Sequence, residues 1–203
     1  MKISNGQSAL AILVGAISLL SCGPSSTINE KTTFTHIDSL TETYLSLQDT
    51  LLYSWNVLVK DEQEKLDAVN ASLLHLKKEM VPNPSQLTSL DIRFEQLKHL
   101  HITQKSLTNP YVIEEYDFAF SSLISELLAI TESNPTIAQD LQLINHIDKI
   151  KFLDQRILIN RIGYDSVANE LNLFIEQNKL KLNEIETTKS LEKRPVFNAA
   201  TIH

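Results

Sequence analysis

Apolar residues in the body of the chain recur with helical spacing rather than with the alternation of strands. Leu45, Leu52, Val59, Leu66, Leu73 and Met80 fall a heptad apart, flanked by Tyr44, Leu51, Leu58, Val69 and Leu76. This row predicts one long helix from Ile37 to Met80, opened by the Ser39-x-x-Glu42 capping pattern. Leu87, Leu90, Phe94 and Leu97, with His101, predict a second helix over Ser85 to Leu107. Ile113, Tyr116, Phe120, Leu123, Leu127 and Ile130 predict a third over Pro110 to Glu132. The last helix, expected from Pro135 past Leu182, carries Ile150, Ile157, Tyr164 and Leu171 every seven residues. Leu153, Val167, Ala168, Phe174 and Ile175 widen that stripe to the face a bundle buries.

Asn83-Pro84, Asn109-Pro110 and Asn134-Pro135 each precede an apolar-periodic run. Asparagine caps free amides, and proline at the first helical position loses no needed hydrogen bond, so each pair predicts a helix start. The expected fold is all-α, an elongated up-down four-helix bundle with a coiled-coil-like seam. The alternative is three long rods, the middle one kinked at Asn109-Pro110.

Composition narrows the chemistry. The 203 residues are 42% hydrophobic, enough for one domain with a sizeable core. Three of the four glycines, Gly6, Gly15 and Gly23, lie at the N-terminus, which leaves Gly163 alone in the body. A phosphate-cradling loop needs clustered glycines, so a nucleotide site of that kind is not expected. A net charge of -7 without a basic patch argues against nucleic acid. No Glu-x-x-His pattern is present, and His99 and His101 are too close in sequence to share a helix face. His146 is expected as a hydrogen-bonded interior residue. No metal, cofactor or catalytic residue is predicted.

The N-terminus reads as an address. Lys2 precedes an apolar run from Ala9 to Leu20, and Leu19-Leu20-Ser21-Cys22 resembles a bacterial lipobox. Cleavage before Cys22 would leave that cysteine to carry acyl chains such as palmitate and to anchor the protein in a membrane. Residues 1–21 are then a lipoprotein signal peptide and 22–35 a tether. A tether of this composition reaches on the order of 20 Å. Gly23-Pro24-Ser25 after the cysteine, with no aspartate, favours the outer membrane facing the periplasm over the inner membrane.

Asp154-Gln155-Arg156-Ile157, then Arg161, Tyr164, Ala168, Asn172 and Ile175, resemble the signature helix of the LemA family. Trp55, Lys60 and Asp67 fall where that family has its Trp, a polar stretch and an Asp, and Arg194-Pro195-Val196-Phe197-Asn198-Ala199 resembles its closing segment. Two features depart from the family pattern. Ala68-Val69-Asn70-Ala71 replaces an Ile-Pro-Asn turn, which predicts an unbroken first helix, and Asn178-Lys179 replaces a Phe-Pro. The resemblance implies a membrane-tied bacterial four-helix bundle without an established biochemical activity. It places a LemA-like bundle at 36–188 and a C-terminal tail at 189–203.

Asp154, Arg156 and Arg161 interrupt or border the buried stripe and must find partners if buried. Interhelical ion pairs with Asp67 or Glu62 are expected, with Trp55 as a core anchor. The functional expectation is a non-enzymatic, lipid-anchored scaffold or binding module for another envelope protein, with a homo-oligomer left open. The alternative is a bundle that binds a small anion, or acts on one, through the polar cluster of its last helix.

Overall fold

The computed structural model describes residues 35–78, 84–100, 102–185 and 191–198. The expected signal peptide, Cys22, most of the expected tether, His101 and Met80 lie outside the described residues. Helix α1 spans His36–Lys78, α2 Pro84–Lys98, α3 Pro110–Ser133 and α4 Leu141–Ile185. Short 3-10 turns occupy Gln104–Thr108 and Ile137–Gln139, and no strand occurs among the described residues. The fold is an all-α helical bundle.

Helices α1 and α4, of 43 and 45 residues, are the frame. At about 1.5 Å per residue each is roughly 65 Å long. They run antiparallel: Asp61 meets Arg156, Lys65 meets Asp154 and His75 meets Asp140, so positions that climb along α1 descend along α4. α1 passes through Ala68 and Val69 without a break, as the missing proline predicts.

The core has two parts. In the first, all four helices meet: Leu73 and Leu76 of α1 pack with Leu90 and Phe94 of α2, Leu123 and Leu127 of α3, and Leu143 and Ile150 of α4. In the second, Leu40, Tyr44, Leu51 and Leu58 of α1 pack against Tyr164, Ala168, Leu171 and Ile175 of α4. The short helices contribute little there beyond Ile113, and Leu191, Val196 and Phe197 from the C-terminal segment pack on instead. The segment stands where a further helix would be.

The predicted inner faces of α2 and α3 are buried as expected, and so is the heptad row of α4. The predicted row of α1 holds at Leu73, which is buried, but is displaced by one position in the N-terminal half of the helix. Leu45, Leu52 and Val59 are 51%, 55% and 45% exposed, whereas Tyr44, Leu51 and Leu58 are buried. That buried row continues through Lys65 and Ser72, so polar members disguise it. α1 also starts at His36, upstream of the Ser39 capping pattern.

The Asn-Pro pairs act in different ways. Pro84 and Pro110 each open a helix. α2, however, ends at Lys98 rather than Leu107, because Thr103 and Ser106 form a reciprocal capping box that opens a separate 3-10 turn. The chain leaves α-helical geometry after Lys98 and re-enters it at Pro110, which excludes the kinked rod. Asn134-Pro135 forms a turn in which Thr136 N donates to Asn134 Oδ1 at 3.0 Å. α4 therefore begins at Leu141, where Asp140 Oδ1 accepts from the amides of Gln142 and Leu143, both at 2.9 Å. His146 is half-buried rather than interior.

Asp140 also ties α4 back to α1, since its Oδ2 lies 3.0 Å from His75 Nε2. The Leu143 amide, and then His75, hold this carboxyl below the usual carboxylate range. A depressed folded-state value means the stabilisation is complete above the ordinary carboxylate value and is lost as pH falls through the lower folded one. Acid titration of unfolding should show this loss in the wild type and a flatter profile in Asp140→Ala.

The displaced seam gives a second test. Leu51→Ala should lower the unfolding free energy by roughly 2–4 kcal/mol, and Leu52→Ala by no more than about 0.5 kcal/mol. Urea denaturation distinguishes this from the heptad row read by apolarity alone, which requires the reverse order.

Candidate functional site

Midway along the frame, charged and polar residues of three helices converge. α1 supplies Asp61, Glu62 and Lys65, α3 supplies Tyr116 and Asp117, and α4 supplies Arg156, Asn160 and Arg161. Residues four or five apart share one side of a helix, so Asp61 with Lys65, and Arg156 with Asn160 and Arg161, face across the α1–α4 contact. Asp61, Lys65 and Arg161 are only 2%, 3% and 7% exposed. Charges this deep persist only when paired.

Arg156 engages Asp61 through two nitrogens, with its Nε donating to Oδ2 at 2.7 Å. Asn160 Nδ2 donates to the same oxygen at 2.7 Å. Arg161 forks onto Asp117, with contacts of 2.6 and 2.9 Å, and also donates to Glu62 at 3.2 Å. Tyr116 OH donates to Glu62 at 3.4 Å. Lys65 Nζ sits 3.2 Å from Asp154 and 3.4 Å from Glu62, with the Phe120 ring centroid 4.2 Å away. Every cation in this belt faces a carboxylate.

Burial works against the charge of Arg161, but Asp117 and then Glu62 outweigh it and raise the guanidinium above its ordinary value. The Asp61 hydrogen bond raises Arg156 likewise. Burial, followed by the nearby Glu62 charge, pushes the Tyr116 phenol far up. Both arginines stay charged and Tyr116 stays neutral over any physiological range.

One turn beyond the belt, the C-terminal segment docks on α4. Asn172 grips the main chain of Arg194 at both its amide and its carbonyl: its Nδ2 donates to Arg194 O at 2.8 Å, and Arg194 N donates to its Oδ1 at 2.6 Å. Phe197 N donates to Asp165 Oδ1 at 2.7 Å, and Tyr164 OH donates to Pro195 O at 3.3 Å. Burial, followed by the neighbouring Asp165 charge, pushes the Tyr164 phenol up to about 12, so it remains a donor. The Phe197 ring stacks near Trp55 at 6.3 Å between centroids and meets Tyr164 edge-on at 5.6 Å. The Arg161 guanidinium lies 5.0 Å above the same ring. Asn198 then turns the chain at φ 58°, a left-handed conformation that asparagine tolerates.

The residues singled out from the sequence therefore divide. Trp55, Arg161, Tyr164 and Asn172 converge on the C-terminal segment. Arg156 pairs with Asp61 and Asp154 with Lys65, both in the belt. The expected pairing of the arginines with Glu62 is present for Arg161, but Asp67 takes no part: it is exposed and accepts from Gln63 at 3.0 Å on its own helix. Asp61, Lys65, Asp117 and Asp165 were not anticipated. The continuation of the buried α1 row into Lys65 is a sequence signal for that residue, and the three carboxylates carry none.

Against the belt, a groove of about 370 Å³ opens between α3 and α4, lined by Lys65, Asp117, Asp154 and Arg161. An anion entering it would have to compete with carboxylates already in place. Among the described residues no cluster of three or more His, Cys, Asp or Glu is placed to hold a metal, and no helix is long and apolar enough to cross a membrane.

Comparison with protein-family models, with curated proteins and with solved structures finds no match.

Arg161→Met keeps the apolar stem and removes the fork. It should lower the unfolding free energy by roughly 2–4 kcal/mol, less than for a fully buried pair because Asp117 stays partly solvated. Arg161→Lys should recover only part of that loss, since an ammonium cannot reproduce the two-pronged contact. Equilibrium denaturation of the two variants measures both.

Proposed function

We propose that this chain is a LemA-like, lipid-anchored bundle of the bacterial cell envelope that serves as a non-enzymatic scaffold or protein-binding module. The observation that carries the reading is the direct pairing of Arg156 and Arg161 with carboxylates of their own chain. Cations engaged in this way brace helices and are not presented to a substrate. The four-residue likeness to a lipobox ending in Cys22 supports the anchor, and the absence of an aspartate just after it supports the outer membrane facing the periplasm. The coincidence of the family-like residues Trp55, Arg161, Tyr164 and Asn172 with the contacts of the C-terminal segment supports the LemA resemblance. An envelope protein is the partner this reading requires, and self-association is compatible with it.

The second reading is a small anionic ligand, and the groove of about 370 Å³ beside Lys65 and Arg161 is the observation in its favour. Binding there would loosen the belt and so lower stability, the opposite of the usual ligand effect on a preformed site.

Crosslinking in cells followed by affinity capture, with Cys22→Ser and Arg161→Ala as controls, separates these readings. A scaffold should lose both lipid labelling and its crosslinked partner in Cys22→Ser, while Arg161→Ala keeps the lipid label and the membrane association. Unchanged lipid labelling and membrane retention in Cys22→Ser would refute the anchor. A small molecule retained by the wild type and released by Arg161→Ala would replace the scaffold with the ligand.

A further inference from the structure

The contacts that hold residues 194–197 are of an unusual kind for a chain terminus packing on its own domain. Asn172, Asp165 and Tyr164 all address main-chain atoms: the Arg194 amide and carbonyl, the Phe197 amide and the Pro195 carbonyl. None of these bonds depends on which side chains the segment carries. Side-chain identity is read mainly by apolar contact: Leu191 and Val196 pack on the second part of the core, and the Phe197 ring enters between Trp55, Tyr164 and Arg161. Main-chain bonds along an extended segment plus an aromatic-lined pocket are the elements of peptide recognition. Charge agrees with this: Lys193 reaches Glu176 at 3.1 Å, and Asp165 flanks the pocket.

We infer that this cleft between α1 and α4 is a peptide-binding groove that takes, in exchange for the chain's own segment, an extended basic-Pro-aliphatic-aromatic segment of a partner protein. The inference rests on the protein-binding reading and supplies its site. The resident segment Lys193-Arg194-Pro195-Val196-Phe197 shows which chemistry fits. Proline fixes an extended backbone and removes a donor where the cleft offers Tyr164 OH only to the carbonyl. Asn172 can clamp the main chain of any non-proline residue, because an amide side chain offers both a donor and an acceptor. The resident segment competes in cis at an effective concentration on the order of millimolar, so the intact chain admits only a partner that outcompetes it. Apparent affinity for a free peptide therefore falls with the fraction of grooves left open.

The test uses the full chain in detergent and a fluorescein-labelled peptide with the sequence of residues 191–198, read by fluorescence anisotropy. Phe197→Ala vacates the aromatic pocket and should bind the peptide at least about tenfold more tightly than wild type does. Adding Asn172→Ala to that variant should remove the gain, and a peptide with alanine in place of its phenylalanine should bind neither chain. Equal affinity in wild type and a natively folded Phe197→Ala, or a gain indifferent to Asn172, would overturn the groove. Should Phe197→Ala fail to fold, hydrogen exchange on the wild type decides. Saturating peptide should strip protection from the Arg194 and Phe197 amides, and unchanged protection overturns the proposal. A concentration-dependent dimer that the peptide dissolves would assign the groove to a second copy and overturn the foreign partner. Loss of a crosslinked partner in cells bears on the scaffold alone, and failure of peptide binding bears on this site alone.

Discussion

The frame depends on charges buried where α1 crosses α4. Asp61, Lys65 and Arg161 are nearly inaccessible, and each finds its charge partners only on other helices or on one nearby turn. An apolar seam of this length could slide by a turn, about 5.4 Å, and still bury leucines. The belt could not: such a slip would take Asp61 from Arg156 and Asn160, and Lys65 from Asp154. Isolated buried charges cost several kcal/mol each, so the polar centre selects one register out of several that the apolar residues would accept.

Docking of the C-terminal segment follows from the same register. Arg161 pairs with Asp117 and Glu62 while its guanidinium covers the Phe197 ring, and Tyr164 and Asp165, about one turn onward, hold the backbone leading into that ring. Trp55 completes the pocket from α1. The pocket therefore exists only when α1 and α4 are correctly aligned. This joins the polar belt, whose role is structural, to the cleft, whose contacts with the segment are mostly main-chain and hence transferable.

The inner faces of α2, α3 and α4 were legible in the sequence because their buried positions are almost all apolar and recur at three- and four-residue steps. α1 was legible as a helix but not in its orientation. Its buried row passes through Asp61, Lys65 and Ser72, and a row chosen for apolarity moves one residue aside, to Leu45, Leu52 and Val59. The last helix start was misread because Asn134-Pro135 and Asp140 both carry capping chemistry, and only the fold brings Asp140 beside His75. Arg156 and Arg161 stood out as cations beside an apolar stripe. Asp61 and Asp117 did not, because a single carboxylate on a helix of an acidic chain has no local mark, and its partner lies tens of residues away. Asp67 misled for the same reason: its place in a family pattern says nothing about which way it points.

The direct test of register selection is a pulsed electron-spin distance measurement between labels at Leu52→Cys and Leu173→Cys, both exposed, in a Cys22→Ser chain. It should be made with the belt intact and with Asp61→Leu, Lys65→Met and Arg161→Met combined. One narrow distance in the first chain, and a second population displaced by about one helical turn in the other, is the predicted result. The same single narrow distance in both would contradict the account, since the apolar seam alone would then be fixing the frame.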